Sequence, residues 1–409
     1  MKRIVLHIDA NSAFLSWSAV KILKETGEDV REIPSVIGGD ESKRKGIVVA
    51  KSIPSKKYGV LTGEPIFIAK QKCPQLRVIA GDYNLYCEMS DKMADIISEY
   101  SPKMQRYSID ECFLEYTGQE HIFGSGINVA DLIRNRIKKE LGFTVNVGVG
   151  ENKLLAKMAS ELEKPDKTHT IFKNDIQNKM WPLDISELFM LGRSGQNSLR
   201  KIGVDTIGDL ANLEKSLLIN IFGNAKGNLM YEYSHGIDNS EVKLNGLIPI
   251  KSISNATTTV NNLESYEEIY KILLKLCDEV AYRLRIKSYS SSLISVTIKY
   301  DNFEKISKQK SLSVSIFSLY DIFCQAKELV NFLWNKNPVR AIGVCLSKFT
   351  QIDTTQQNFL KLEYQTKQEK IDVAADKMRI KYGDKFITRA AILDEKLTRV
   401  TPLNGIVVN

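Results

Sequence analysis

The sequence predicts an α+β protein of several domains, and three observations carry that prediction. The chain of 409 residues is longer than one compact core sustains, and it has no internal repeat or low-complexity block. Up to residue 150, strand-like and helix-like segments follow one another in a recognisable order. The pattern then changes twice, to short glycine-punctuated helices beyond Pro182 and to a second alternating region beyond residue 252.

Each element follows from local signals. Residues 4–8 alternate and are rich in Ile and Val, and Asn11 or Ser12 can cap a helix running to about residue 25. A basic insertion, about 30–80, precedes a helix over about 85–100. Residues 104–109 and 112–116 read as strands meeting at Asp110 and Glu111, 129–141 as a helix and 144–149 as a strand. Strand, helix, strand, strand, helix, strand is the split βαβ order. Leu188 to Leu213 suggests a helix-hairpin-helix around Gly192 and Gly195. Helices over 266–287 and 322–334 and strands over 293–300 and 341–347 form another α+β region, and a polar stretch over 351–357 precedes a charged tail.

Composition narrows the class. The hydrophobic share of 43% and charged share of 26% suit a soluble globular chain, and no apolar run approaches the roughly 20 residues of a membrane span. Asp9 interrupts the basic and apolar start before it could serve as a signal peptide, so a cytoplasmic address is expected. Six scattered cysteines imply reduced thiols. Four histidines, none at ligand spacing, leave any metal to carboxylates, which suits magnesium. A net charge of +8 permits a polyanionic partner without demonstrating one.

Asp110–Glu111 interrupts strand-like sequence. Adjacent residues of a regular strand point to opposite faces, so both can address one metal only if the chain bends there. Taken alone the pair reads equally as a solvated acidic turn, and Asp9 as a helix cap. The topology combines them: the first strand and the central hairpin lie side by side, bringing three acids together. Divalent cations relieve such repulsion, and two of them serve phosphoryl transfer without a covalent residue.

Asp9-Ala10-Asn11-Ser12-Ala13-Phe14, Ser108-Ile109-Asp110-Glu111, the run from Gly148 to Lys157, and Lys164-Pro165-Asp166 stand in the order and spacing of the Y-family translesion DNA polymerases. The resemblance extends over residues 1–350. It implies a right hand: a ferredoxin-like palm (1–29 and 81–178), small fingers (30–80), a helical thumb (179–245), an α+β little finger that grips DNA (246–350), and a linker with a charged C-terminal tail (351–409). It implies Asp9, Asp110, Glu111 and the Ala10 carbonyl as ligands of two Mg2+ ions, and Lys157 against the incoming triphosphate. Phe14 would be the gate beneath the sugar. Where relatives carry Tyr and Arg against the triphosphate, this chain has Ile53 and Lys56, and Lys56 offers a point charge without arginine's planar fork.

Gly192 and Gly195 would present backbone N–H groups to a DNA phosphate, and Lys299, Lys305, Lys308 and Lys310 would touch the DNA backbone, although a plain helical hairpin and an exposed charged face look the same. Gln356, Phe359 and Leu360 resemble the peptide that docks bacterial polymerases on the sliding clamp. The expected activity is templated addition of deoxynucleotides to a primer 3′-hydroxyl on primer–template DNA. A catalytically inactive adaptor binding DNA and clamp is the alternative. A nucleotidyl cyclase, suggested by Gly38-Gly39-Asp40-Glu41, fails because that tetrapeptide lies in the basic insertion and not on the central hairpin.

Overall fold

The apolar alternation at the start of the chain becomes β1 (Val5–Ala10), all of it buried in the middle of a five-stranded sheet. The computed structural model of the protein describes residues 2–40, 46–244, 249–352, 363–383, 387, 389 and 390. Their contacts fall into two units divided near residue 248.

In the first unit α1 (Ala13–Thr26) leaves β1 through Ser12, whose φ of 48° turns the chain without a capping bond from its side chain. The basic insertion folds as β2 (Ser35–Gly38), β3 (Val48–Lys51), α2 (Ile53–Lys57), α3 (Ile66–Lys72) and β4 (Arg77–Ala80). Its three-stranded sheet covers a small core of Val36, Val48, Val60 and Ile66. The chain returns through α4 (Tyr83–Ser98) to the hairpin of β5 (Met104–Arg106) and β6 (Glu111–Glu115). There follow α5 (Glu120–Phe123), α6 (Gly126–Leu141), β7 (Val145–Gly150), α7 (Lys153–Glu161) and β8 (Thr168–Ile171). The sheet order β5-β6-β1-β7-β8, with β1 antiparallel to both neighbours, is the arrangement the split βαβ order predicts.

Alternation along β1 separates two faces. Leu6, Ile8 and Ala10 enter a core with Trp17, Tyr86, Ile133 and Phe143. Val5, His7 and Asp9 face the other side, against α7. Two glycines set how deeply α7 seats: a Cβ on Gly148 would lie 2.0 Å from the Ala156 carbonyl oxygen, and one on Gly150 would lie 2.6 Å from the Ala156 nitrogen. Backbone meets backbone there, so no larger residue fits.

Beyond residue 182 come α8 (Arg193–Arg200), α9 (Ile207–Ala211) and α10 (Lys215–Ser234), the last kinked at Gly223. They share a core of Leu188, Leu199, Ile207, Leu210 and Leu218.

The second unit holds β9 (Ser252–Leu263), α11 (Tyr266–Ile286), β10 (Tyr289–Tyr300), β11 (Lys305–Ile316), α12 (Leu319–Leu333) and β12 (Val339–Gln351). Its antiparallel sheet runs β11-β10-β12-β9, with Leu276, Val280, Ile294, Val296 and Val330 in the core beneath the two helices. Strands β9 and β11 exceed the sequence reading. Both are edge strands whose polar composition leaves little apolar alternation to read.

Within the stretch expected to be linker and charged tail lies α13 (Glu363–Tyr382). Its polarity is inverted: Asp372, Asp376 and Arg379 are buried, while Ile371, Val373, Met378 and Ile380 are exposed. Going round, Asp278, Arg379, Asp376, Arg285, Asp372 and Arg389 form a closed ring in which each guanidinium lies between two carboxylates. A helix that buries charge carries no amphipathic signature, which is why periodicity misses it. All six cysteines are free thiols, and among the described residues no helix is long and apolar enough to cross a membrane.

Candidate active site

Asp9 and Glu111 are cross-strand partners, so the strand period puts both on the α7 side of the sheet together with His7. The expected bend is present. Strand β6 starts at Glu111, and the N–H groups of Tyr107 and Ser108 both donate to the Glu111 carbonyl, at 2.9 and 3.2 Å. The Ala10 N–H donates to the Asp110 carbonyl at 3.0 Å, tying the two loops together. The Asp110 carboxylate accepts from the Ser108 hydroxyl. Among the described residues, the three carboxylates that come together are Asp9, Glu111 and Glu161, with one oxygen of each within 4.8 Å of the others. Asp110 stands outside that trio. Glu161 was not foreseen; it ends α7 one turn beyond Lys157, and that i, i+4 spacing was the signal available.

Two ammonium groups thread the trio. Lys157 Nζ lies 2.9 Å from Glu111 Oε1 and 2.8 Å from Glu161 Oε1. Lys164 donates to Asp9 Oδ2 and lies 2.7 Å from Glu161 Oε2. Lys164 is held there by its neighbours: the Asp166 N–H donates to Asn11 Oδ1 at 3.0 Å, and the Asp166 carboxylate accepts from Arg134 and Lys138, both at 2.7 Å.

Burial sets the titration of the site, and ion pairs modify it. It raises Asp9 to about 6, against the pull of Lys164 and Lys157. Burial also raises Asp110. At Glu111 burial again works upward, but the hydrogen bond from His7 and the Lys157 ammonium hold the carboxyl at about 2. Lys157 is raised because Glu111 and Glu161 outweigh its burial. Burial lowers His7 to about 4, leaving a neutral imidazole at physiological pH. Its Nε2 lies 3.3 Å from Glu111 Oε2 and its Nδ1 lies 2.8 Å from Ser160 Oγ. An ionised carboxylate only accepts, so Nε2 carries the proton and Nδ1 is an acceptor, which shares the one proton of the Ser160 hydroxyl with the Lys157 carbonyl, 2.8 Å away. The oxygen-only donor set suits a hard divalent cation, and the two ammoniums balance part of its charge.

The remaining predicted residues divide. Phe14 is half-buried, stacked on Tyr86 at 4.6 Å and edge-on to Trp17 and Tyr83. Lys56 is exposed in the last turn of α2, and Ile53 is exposed at its start. Gly192 caps α8 with open space at its Cβ position, whereas a Cβ on Gly195 would meet Leu191 at 2.7 Å. The register of β10 with β11 pairs Lys310 with Ile294 and Lys308 with Val296, which puts both lysines on the helix-covered face. There Lys310 pairs with Glu328 at 2.7 Å and Lys308 lies over the Phe332 ring. Lys299 and Lys305 share the opposite face, where Lys299 lies 4.6 Å from the Phe303 ring. Gln356, Phe359 and Leu360 lie outside the described residues.

Comparison with known proteins gives a consistent result. A family model described as the impB/mucB/samB family matches residues 8–161, and its C-terminal domain model matches residues 250–359. The chain is 42% identical to a DNA polymerase IV of Clostridium acetobutylicum over 97% of this chain and 100% of that protein. It is 30% identical to DNA polymerase IV 1 of Bacillus subtilis, covering 98% and 96%. A solved Y-family DNA polymerase chimera superposes with a TM-score of 0.76 at 25% identity, covering 85% of this chain and 99% of that one.

Proposed function

The chain belongs to the impB/mucB/samB family of Y-family DNA polymerases, and on that premise we propose that Asp9, Asp110 and Glu111 carry its nucleotidyl transfer. It is a DNA-directed DNA polymerase of the translesion type, metal-dependent, acting on primer–template DNA with deoxynucleoside triphosphates. The inactive-adaptor alternative is not favoured, since the relatives matched over their full length are polymerases. The observation that carries the residue assignment is the pairing of Asp9 with Glu111 across two buried strands, with Lys157 beside them.

Two magnesium ions, held by Asp9, the Ala10 carbonyl, Asp110 and Glu111, would lower the pKa of the primer 3′-hydroxyl and neutralise the triphosphate and the departing pyrophosphate. The protein's part is positioning. His7, donating through Nε2, orients the Glu111 carboxylate. Lys157 serves the triphosphate from the face it shares with Glu111, and exposed Lys56 adds a second charge from the fingers. Phe14, backed by Tyr86, limits space beneath the sugar. Gly192 at the start of α8 and Lys299 on the open sheet face serve the DNA backbone. Lys308 and Lys310, engaged with Phe332 and Glu328, contribute through charge at a distance. Palm (1–29 and 81–178), fingers (30–80), thumb (179–245) and little finger (246–350) are the corresponding domain assignments, in a cytoplasmic enzyme.

Asp110→Asn tests the assignment. Magnesium-dependent primer extension, on plain and lesion-bearing templates, should fall by about 10²–10³-fold while a gel shift shows DNA binding intact. Near-normal extension would overturn it.

A further inference from the structure

Glu161 is unexplained by the carboxylates assigned above, yet it is the one residue that both lysines touch. Its two oxygens divide the work: Oε1 takes Lys157 at 2.8 Å and Oε2 takes Lys164 at 2.7 Å. Each ammonium is at the same time on a strand carboxylate, Lys157 on Glu111 and Lys164 on Asp9. Both lysines therefore bridge, and Glu161 is the pole they share.

The spacing explains how. Lys157 and Glu161 stand at i and i+4 on one face of α7, and Lys164 lies three residues past its end, where the chain brings its ammonium back to Glu161. An ordinary surface helix pair would be the simpler reading. Two facts oppose it. Lys157 precedes Glu161, the less favourable order for stabilising a helix, and its side chain is only 11% exposed. Glu161 itself, 35% exposed, sits at the solvent side of the cluster, while Asp9 is 8% exposed.

Resting on the proposed metal-binding role of Asp9 and Glu111, we propose that Glu161 is a positioning residue: it receives Lys157 and Lys164 when divalent cations enter. A cation between Asp9 and Glu111 repels both ammoniums. Because each already touches a Glu161 oxygen, neither must travel into solvent to find a counter-charge. Lys164 leaves Asp9 and keeps Glu161; Lys157 leaves Glu111 and stays poised on the same face for a phosphate.

Glu161→Gln and Glu161→Asp test this in the full-length enzyme. Without the Glu161 charge, Asp9 and Glu111 are the only carboxylates among the described residues left paired to the lysines, so cations must compete harder. Mn2+ binding to the DNA-free Glu161→Gln protein, read by calorimetry, should weaken about tenfold, and the magnesium midpoint of primer extension should rise in parallel. The nucleotide KM should rise with it, while kcat at saturating magnesium stays near the parent value and Glu161→Asp restores both. Unchanged or tighter Mn2+ binding by Glu161→Gln overturns the inference, as does a fall in kcat alone. Asp9→Asn separates this failure from that of the underlying reading. If Asp9→Asn weakens Mn2+ binding and Glu161→Gln does not, only the role of Glu161 falls; if Asp9→Asn leaves binding intact, the metal assignment falls first.

Discussion

The Lys164 ammonium donates to Asp9 Oδ2 across 155 residues of sequence, and this contact defines the charge state from which the site must work. Asp9 has its pKa raised from 3.8 to about 6 by burial, with Lys164 and then Lys157 opposing the rise. A metal binds the carboxylate form, so below pH 6 binding must release a proton. Mn2+ affinity, titrated calorimetrically from pH 5 to 8, should fall about tenfold per unit below pH 6 and level off above it. The metal-free fold runs the other way: between about pH 4 and 6 the folded Asp9 keeps a proton the unfolded chain has lost, so stability through this group declines as pH rises. Asp9→Asn should remove that slope in urea titrations.

Phe14 stacks on Tyr86 with ring centroids 4.6 Å apart and remains partly exposed. If its exposed part meets the sugar, Phe14→Ala replaces a clash with space. Ribonucleotide incorporation relative to deoxynucleotide should rise at least tenfold in single-nucleotide assays. The lost aromatic pair should cost only about 0.5–1.5 kcal/mol, visible as a small drop in Tm. A Tm drop with an unchanged sugar ratio would make Phe14 a core residue and nothing more.

The ring joining α13 to α11 buries three aspartates and two of its three arginines, Arg285 and Arg379, with the Asp372 side chain only 1% exposed. Removing one member strands a buried charge, a loss of about 3–5 kcal/mol. Arg285→Ala, which deprives Asp372 and Asp376 together, should expose α13 to limited proteolysis. Primer extension by the same variant should persist, since no catalytic carboxylate is touched. Protection equal to that of the parent would mean that apolar contacts hold α13 without the ring.

What the sequence disclosed follows from how each signal is built. Strands β1, β6 and β7 were readable because buried strands concentrate apolar residues, and their order alone brought Asp9 beside Glu111. Gly148 and Gly150 stood within a motif, but their purpose, letting Ala156 of α7 approach the strand backbone, exists only in three dimensions. Lys308 and Lys310 could not be assigned a face until the β10–β11 register was known, since one step along a strand reverses it. Glu161 escaped because it looks like a solvated charge until Lys157 and Lys164 are placed against it, and Lys164, legible as part of a motif, showed no role until Asp9 of β1 was beside it. Helix α13 escaped for the opposite reason: it hides charge and shows apolar residues.

Gln356, Phe359 and Leu360 fall between two anchored elements. On one side the Ile352 N–H donates to the Ser288 carbonyl at 2.8 Å, and on the other the aspartates of α13 are locked to Arg285. Docking a peptide at these positions on a sliding clamp would raise the effective concentration of the polymerase at the primer end. The glutamine and two apolar anchors supply the affinity. The double variant Phe359→Ala, Leu360→Ala should abolish clamp binding and clamp-stimulated synthesis, leaving clamp-free extension within about twofold of the parent. Equal clamp affinity of both forms, measured by titration, refutes the docking role, and loss of clamp-free activity would assign these two side chains to the folded domain instead.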